Sequence, residues 1–156
     1  MALLKSAFHI CENLKVIKIP NSVRTIGDMA FSYCYKLQTV SQINRPFNSC
    51  EALTEFTVDH KSKYFTTNKG IFFTKDHATL VAYPNGKRDK NYAIPPATKL
   101  IKEWAFNVSK YIENIKFPEG DIAIEPYTFS RCPNLLSFTV PDNVVNRGLL
   151  SPMYFA

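Results

Sequence analysis

The stretch Ala7–Phe31, AFHICENLKVIKIPNSVRTIGDMAF, begins and ends on the same Ala-Phe dipeptide, so that one repeat length runs from Ala7 to Ala30. In four places along the 156-residue chain a Cys follows the Phe by three positions and a Leu follows it by six. These places are Phe8-Cys11-Leu14, Phe31-Cys34-Leu37, Phe47-Cys50-Leu53 and Phe129-Cys132-Leu135. After Phe106 the same two slots hold Ser109 and Ile112. A period of this size predicts a protein built from stacked repeats.

One repeat contains a short strand, a second extended piece and a short helix. In residues 14–19 the inward positions are 14, 17 and 19, with the clearest alternation over 17–19. Pro20 ends the strand because proline cannot donate in a ladder. Residues 23–26 supply a second inward pair, and Asp28 lies at the N-cap of a short helix. Stacking such units predicts an α/β solenoid with a parallel sheet on one face and short helices or turns on the other. The predicted strands lie near residues 14–19, 38–43, 53–58, 112–117 and 135–140.

An insertion interrupts the repeats at residues 59–92, where the register is lost. Within it, Gly70–Phe73 and Leu80–Tyr83 predict a β-hairpin. We expect this hairpin to leave the stack and protrude, because loops outside a scaffold are free to carry function. The chain is predicted to be one solenoid over residues 1–145, followed by a tail, 146–156, that has no repeat register.

The unit resembles the leucine-rich repeats of the BspA-like type, whose pattern is Leu-x-x-Leu-x-Ile-Pro, then Val-x-x-Ile-Gly, then Ala-Phe-x-x-Cys. Residues 14–34 match this pattern at nearly every slot, and the resemblance covers roughly residues 3–145. The hairpin-containing insertion is also similar to one that is common in this family. The resemblance implies a leucine-rich repeat solenoid that is not an enzyme and that binds other proteins, including in surface adhesion by bacteria and protozoan parasites.

All four cysteines occupy one slot of the repeat: Cys11, Cys34, Cys50 and Cys132. The Phe and the Leu on either side of that slot are core positions, so we expect four buried, free thiols. A zinc site is disfavoured, because the spacing offers neither a Cys-x-x-Cys pair nor tetrahedral geometry. Reduced thiols, with no signal-peptide pattern in Met1–Ser6, favour an intracellular protein, whereas the resemblance implies the cell surface.

No motif of catalysis or of cofactor binding is found in the sequence. There is no glycine-rich phosphate loop and no Gly-x-Ser-x-Gly. The three histidines, His9, His60 and His77, lie in unrelated places without the spacing of metal ligands. Apolar runs are short, so no membrane span is predicted. The sequence therefore predicts a protein that is not an enzyme and that needs neither cofactor nor metal.

The positive charge of the chain is concentrated in the insertion and its flank. Residues 60–102 carry nine basic and two acidic side chains, a net charge of +7 in a chain of net charge +6. We expect a partner with an acidic surface to dock on the basic side chains of the insertion, unless they only form a solvated surface. These side chains are Lys61, Lys63, Lys69, Lys75, Lys87, Arg88 and Lys90.

The outward positions of the predicted strands form a second candidate surface. They are Lys15, Val16, Lys18, Gln38, Thr39, Ser41, Thr54, Glu55, Thr57, Glu113, Asn114, Lys116, Leu136, Ser137 and Thr139. Their mixed, mostly polar character suits a protein partner better than a lipid. Two other functions stay open: a subunit of a large intracellular assembly, and binding of an acidic polymer or nucleic acid through the basic insertion. Nucleic acid is the less favoured partner, because the aromatic residues of the insertion are better explained as the hairpin's own core.

Overall fold

The computed structural model of the protein describes residues 2–4, 6–11, 13, 25–26, 30, 34, 50–135, 142 and 144–147. The strands of this part are β1 (Ala2–Leu3), β2 (Thr25–Ile26), β3 (Phe65–Asn68), β4 (Ile71–Thr74), β5 (Thr79–Ala82), β6 (Asn91–Ala93), β7 (Leu100–Ile101), β8 (Asn114–Lys116), β9 (Ile122–Ile124) and β10 (Val144–Arg147). They form three sheets, ordered β1-β2, β10-β9-β7-β5-β4-β3 and β6-β8. No helix of the described residues has the length and apolar character needed to cross a membrane.

A step of one repeat length sets the register of three parallel strand pairs. Ala2 of β1 lies opposite Thr25, Asn91 of β6 lies opposite Asn114, and Leu100 of β7 lies opposite Ala123. The same step separates Ala7 from Ala30 in the sequence. Parallel pairing at the repeat length is therefore present, but none of these pairs joins two of the predicted strands, and only β8 lies in one of them. The second extended piece of each repeat, for which the sequence predicts no sheet, supplies β7, β9 and β10 to the largest sheet.

The predicted strands agree only in part with those observed. The prediction at 112–117 is confirmed, since β8 lies within it. The prediction at 53–58 is wrong in extent, because Glu55 forms only an isolated bridge there. The strand is short because the segment packs beside a tight turn and not beside another strand. The Phe56 amide donates to the carbonyl of Gly70, in that turn, at 2.7 Å. Three other predictions lie outside the described residues, those at 14–19, at 38–43 and, beyond Leu135, at 135–140.

Runs of turns occupy the segments that contain Ala-Phe, where short helices or turns were expected. Trp104 and Val108, two positions before and after Phe106, have φ of 62° and 60°. Residues with left-handed backbone cannot continue a right-handed helix. The same left-handed pair recurs as Tyr127 and Arg131 around Phe129, and as Ser6 and Ile10 around Phe8. In the described repeats the turn is therefore the form adopted, and the predicted helix after Asp28 lies outside the described residues apart from Ala30 and Cys34.

The predicted hairpin is present as β4 and β5, with β3 added as a third antiparallel strand. The turn between β3 and β4, called the first hairpin turn below, places Lys69 and Gly70 at φ of 51° and 75°. Positive φ at both central residues is typical of a two-residue type I′ turn. The expectation that the hairpin protrudes is wrong, because Thr79 of β5 pairs in parallel with Leu100 of β7. The insertion thus extends the largest sheet of the protein.

Both faces of the hairpin are buried, against two different hydrophobic cores. Phe73 and Leu80 pack in the core formed by the repeats that follow the insertion. Phe72 and Val81 pack in a second core, with Cys34, Cys50, Leu53 and Phe56 of the preceding repeats. Neighbouring residues of a strand point to opposite faces, so one hairpin contributes to both cores.

The prediction that the cysteines are buried is confirmed at two of the four positions. Cys34 and Cys50 are buried, whereas Cys11 and Cys132 are only partly buried, and all four thiols are free in the structure. The Cys34 thiol donates to the Phe8 carbonyl at 3.1 Å, and the Cys132 thiol donates to the Phe106 carbonyl at 3.0 Å. Burial raises the pKa of Cys50 and of Cys132 to about 12. The slot thus holds neutral thiols that join one repeat to the next.

Candidate functional site

A groove of about 500 Å³ lies where the first turn of the hairpin approaches β6 and β8. Its lining residues come from that turn, from β6 with its flanks, and from β8: Asn68, Lys69, Ile71, Asp89, Asn91, Tyr92, Ala93, Pro95, Asn114 and Lys116. The groove brings together one residue of the basic insertion, Lys69, and two of the predicted strand face, Asn114 and Lys116.

The alternation of β6 and β8 explains why polar side chains face this groove. In β8, Asn114 and Lys116 are exposed on either side of the buried Ile115. In β6, Asn91 and Ala93 are exposed on either side of the partly buried Tyr92. Parallel pairing of the two strands places Asn91 beside Asn114 and Ala93 beside Lys116. The outward rows of the two repeats therefore form one surface.

Two asparagines form an amide ladder across this surface. The Asn114 Nδ2 donates to the Asn91 Oδ1 at 2.9 Å. A side-chain amide has two N–H donors and an oxygen with two lone pairs, so each amide keeps free hydrogen-bonding groups. The pair offers both donors and acceptors to a ligand.

The groove also contains cations that have no ion-pair partner among the described residues. These are Lys69 of the hairpin turn and Lys116 of β8, both exposed. The acidic residue of the lining, Asp89, lies 3.3 Å from the Lys87 ammonium, so its charge is already compensated. The groove therefore has a positive potential from two side chains on opposite elements.

The rest of the basic insertion is divided between contacts within the protein and separate exposed positions. The Lys90 ammonium lies 2.8 Å from the Glu113 carboxylate, whose hydrogen bond raises the pKa of Lys90. The Arg88 guanidinium lies 5.5 Å from the centre of the Tyr111 ring. The exposed residues Lys61, Lys63 and Lys75 do not line the groove. The predicted basic surface is thus not one patch.

The predicted strand face is likewise brought together only in part. Thr54, Glu55 and Thr57 are exposed but lie outside the groove. Glu113 is engaged by Lys90. The remaining predicted positions lie outside the described residues: Lys15, Val16, Lys18, Gln38, Thr39, Ser41, Leu136, Ser137 and Thr139.

Sequence reasoning missed Asn91 and Ala93, although a usable signal was present. They lie one full repeat before Asn114 and Lys116, and the two pairs are register partners in the sheet. The predicted insertion ends at residue 92, so the repeat register that would identify these two positions is not applied to β6. Asn68 and Asp89 carry no such signal, because the hairpin turn and the segment before β6 have no counterpart in the repeat.

Metal-ligating side chains do not cluster in the described part of the chain, and the phenylalanines of the insertion are buried. In that part of the chain, no group of three or more His, Cys, Asp or Glu side chains is placed to hold a metal ion. The aromatic residues Phe65, Phe72 and Phe73 of the insertion are buried, and Tyr64 alone among its neighbours is largely exposed. Buried rings cannot stack on bases, so the insertion does not resemble a single-strand binding protein.

Three solved structures are similar to this chain. The crystal structure of the pneumococcal vaccine antigen PcpA matches with a TM-score of 0.74 and 23% identity, over 92% of this chain and 43% of that one. A leucine rich cell surface protein from Faecalibacterium prausnitzii gives 0.62 and 25%, over 85% and 43%. A leucine-rich repeat protein from Eubacterium ventriosum gives 0.55 and 20%, over 78% and 34%. This chain spans less than half of each structure, and the likeness to the pneumococcal and Eubacterium proteins concerns the fold alone.

A comparison with curated proteins gives no match. The sequence pattern described as BspA type Leucine rich repeat region matches residues 2–87 and 81–149, in six copies. These residues include the repeats on both sides of the hairpin and the hairpin itself, as the resemblance predicted. The chain belongs to the BspA-type leucine-rich repeat family.

Proposed function

We propose that this chain is a non-enzymatic protein–protein interaction module, and that its partner binds in the groove between the first hairpin turn and strands β6 and β8. The observation that carries this proposal is the groove itself, where the Asn91–Asn114 amide ladder lies with two ammonium groups, of Lys69 and Lys116, that no described carboxylate pairs with. Polar groups held on paired strands are preorganised, which lowers the entropy lost on binding.

We also propose that the repeats continue as a single solenoid over residues 1–145. Support comes from the strand register, which steps by one repeat length both before the insertion, at Ala2 and Thr25, and after it, at Leu100 and Ala123. A solenoid of this kind offers extended binding surfaces. The similar protein from F. prausnitzii is a leucine rich cell surface protein, which supports adhesion at a surface as the setting of the interaction.

The proposal is tested by photo-cross-linking from inside the groove. A photoreactive amino acid replaces Ala93, an exposed residue of the lining, and the protein is irradiated with nuclease-treated extract of the source cells. The matched control carries the same group at Ala97, a nearby exposed alanine that does not line the groove. We expect a discrete protein adduct from position 93 only. The same adducts from both positions, or none from position 93, would refute a groove-bound protein partner.

A further inference from the structure

The lining of the groove runs along β6 and its flanks. One wall follows the chain at β6, where alternate residues Asp89, Asn91, Ala93 and Pro95 all belong to the lining. The six steps from Asp89 to Pro95 span at most roughly 20 Å, at about 3.3 Å per step of extended chain. A ligand that follows this wall for its whole length is therefore a segment of about six residues in extended conformation.

One edge of β6 has no partner strand within the part of the chain that the structure describes. β6 pairs with β8 on one side, and no other described strand pairs with it on the opposite side. In a regular stack the preceding strand would lie one repeat before β6, at residues 68–70, but there β3 ends and Lys69 and Gly70 form the first hairpin turn. Unpaired backbone N–H and C=O groups on a strand edge are a template for another strand. The insertion thus leaves a gap in the stack beside β6.

The chemistry of the lining selects the kind of segment. The N–H and C=O groups on the open edge of β6 match the carbonyl and the amide of a peptide group, whereas a phosphodiester has no N–H to donate. The side-chain N–H groups of Asn91 that are left over by the ladder add further donors on the same strand. Lys69 and Lys116 offer two ammonium groups to carboxylates.

We propose that the groove binds an extended segment of a protein partner, about six residues long and bearing acidic side chains, which pairs with the free edge of β6 and places carboxylates at Lys69 and Lys116. This inference rests on the proposed function and names the part of the partner that is recognised. The exposed charges make the binding weaker as the salt concentration rises, with screening over about 8–10 Å at physiological ionic strength.

The test selects peptides from a phage-displayed library of random dodecapeptides on the full chain. We expect the selected peptides to be enriched in Asp and Glu over the starting library. A synthetic copy of the best peptide should bind the K69N/K116Q double variant at least tenfold more weakly than the wild type. Asparagine is chosen at position 69 because it tolerates the left-handed backbone of the turn.

A matched control removes the same amount of charge elsewhere. Lys75 and Lys99 are exposed, have no ion-pair partner among the described residues and do not line the groove. The K75Q/K99Q variant should bind the peptide within twofold of the wild type. Both double variants are first checked for unchanged thermal unfolding, so that a loss of binding is not a loss of fold.

Three outcomes would overturn the inference: selected peptides without acidic enrichment, equal weakening in the two double variants, or displacement of the peptide by an equimolar thymidine dodecanucleotide. The third outcome would indicate a site for acidic polymers. If position 93 still cross-links to a protein in any of these cases, the proposed function stands and only the acidic segment is wrong. If it does not, the proposed function fails as well.

Discussion

Ser109 is the residue that departs from the repeat, and the structure makes the difference measurable. It stands in the slot that holds Cys in the other copies, and its side chain is 1% exposed. Its hydroxyl has no hydrogen-bond partner among the residues that the structure describes, while the thiols of Cys34 and Cys132 donate to a carbonyl of the preceding repeat. A buried hydroxyl without a partner destabilises the fold more than a thiol does, because it loses more hydration.

We predict that Ser109→Cys raises the free energy of unfolding by about 1 kcal/mol, since it removes the unpaired hydroxyl and restores the interaction of the slot. Urea denaturation with a reducing agent measures the change. Ser109→Ala is the control, because it removes the hydroxyl without supplying a thiol. A lower denaturation midpoint for Ser109→Cys than for the wild type would contradict this role of the slot.

The buried thiols also predict how stability depends on pH. The pKa of Cys50 and of Cys132 is about 12 in the folded protein, against an ordinary value of 9.0. Between these values the unfolded chain has lost protons that the folded protein still binds, so stability falls as pH rises from 9 towards 12. The slope reaches about 1.4 kcal/mol per pH unit for each thiol. Burial also raises the pKa of Tyr83 and Tyr92, which adds to the fall above pH 10.

Urea denaturation at pH 8, 9, 10 and 11 tests this dependence. Cys50→Ala should show a shallower fall than the wild type, and the difference between the two slopes isolates one thiol from the other alkaline groups. Identical slopes in the two proteins would mean that Cys50 ionises in the native state near its ordinary pKa.

At the scale of elements, the first hairpin turn is fixed by close contact with the segment before the insertion. Gly70 has φ of +75°, and a Cβ added there would lie 2.7 Å from the Cβ of Glu55. Gly120 has a similar φ of +87°, but the nearest atom to its added Cβ is the Lys99 Nζ, at 3.7 Å. The two glycines therefore share a backbone requirement and differ in the space around them.

We predict that Gly70→Ala costs about 1–3 kcal/mol more stability than Gly120→Ala, because both variants place alanine in left-handed backbone and only Gly70→Ala adds a steric conflict. The shared backbone cost is roughly 1–2 kcal/mol. Thermal and urea unfolding of both variants give the comparison. Equal losses would show that the turn can move away from Glu55.

The elements differ in how far local sequence determines them. The hairpin of β4 and β5 was predictable, because its two strands are apolar and one turn lies between them. The turns around Phe106 were not: Trp104 and Val108 do not favour left-handed backbone, and they adopt it where the next repeat supplies acceptors. The Phe106 amide donates to the Thr128 carbonyl at 2.9 Å, and the Val108 amide donates to the Ser130 carbonyl at 3.0 Å.

At the scale of the whole molecule, two adjacent residues of β4 pack in different hydrophobic cores. Phe72 and Phe73 are both fully buried, the first with Cys50, Leu53 and Phe56 and the second with the repeats after the insertion. We predict that Phe72→Leu speeds amide hydrogen exchange mainly at residues 50–56, and that Phe73→Leu does so mainly at residues 100–106. Each substitution should cost about 1–2 kcal/mol. The same exchange map in both variants would mean that the two cores open together.

The groove illustrates what a repeat pattern leaves out at this scale. The outward residues of 112–117 follow from alternation alone, and Asn114 and Lys116 were assigned in that way. The sequence identifies Lys69 only as part of a charged segment. Its position in the groove depends on the pairing of β5 with β7, which docks the hairpin on the largest sheet. That pairing joins strands that are well separated along the chain, since β5 ends at Ala82 and β7 begins at Leu100, and it has no signature in local composition. The sequence therefore indicates which side chains face outward, and not which of them meet.

The double-faced hairpin has a consequence for the order in which the chain matures during translation. Cys50, Leu53 and Phe56 are covered by Phe72 and Val81, which leave the ribosome only after the whole segment that precedes β4 has been made. Until then the nascent chain carries uncovered apolar side chains, and these are the ones that a chaperone or a neighbouring nascent chain would meet. The unit that becomes protected co-translationally ends inside the hairpin and not at a repeat boundary, so a truncation placed at residue 58 would release an exposed core.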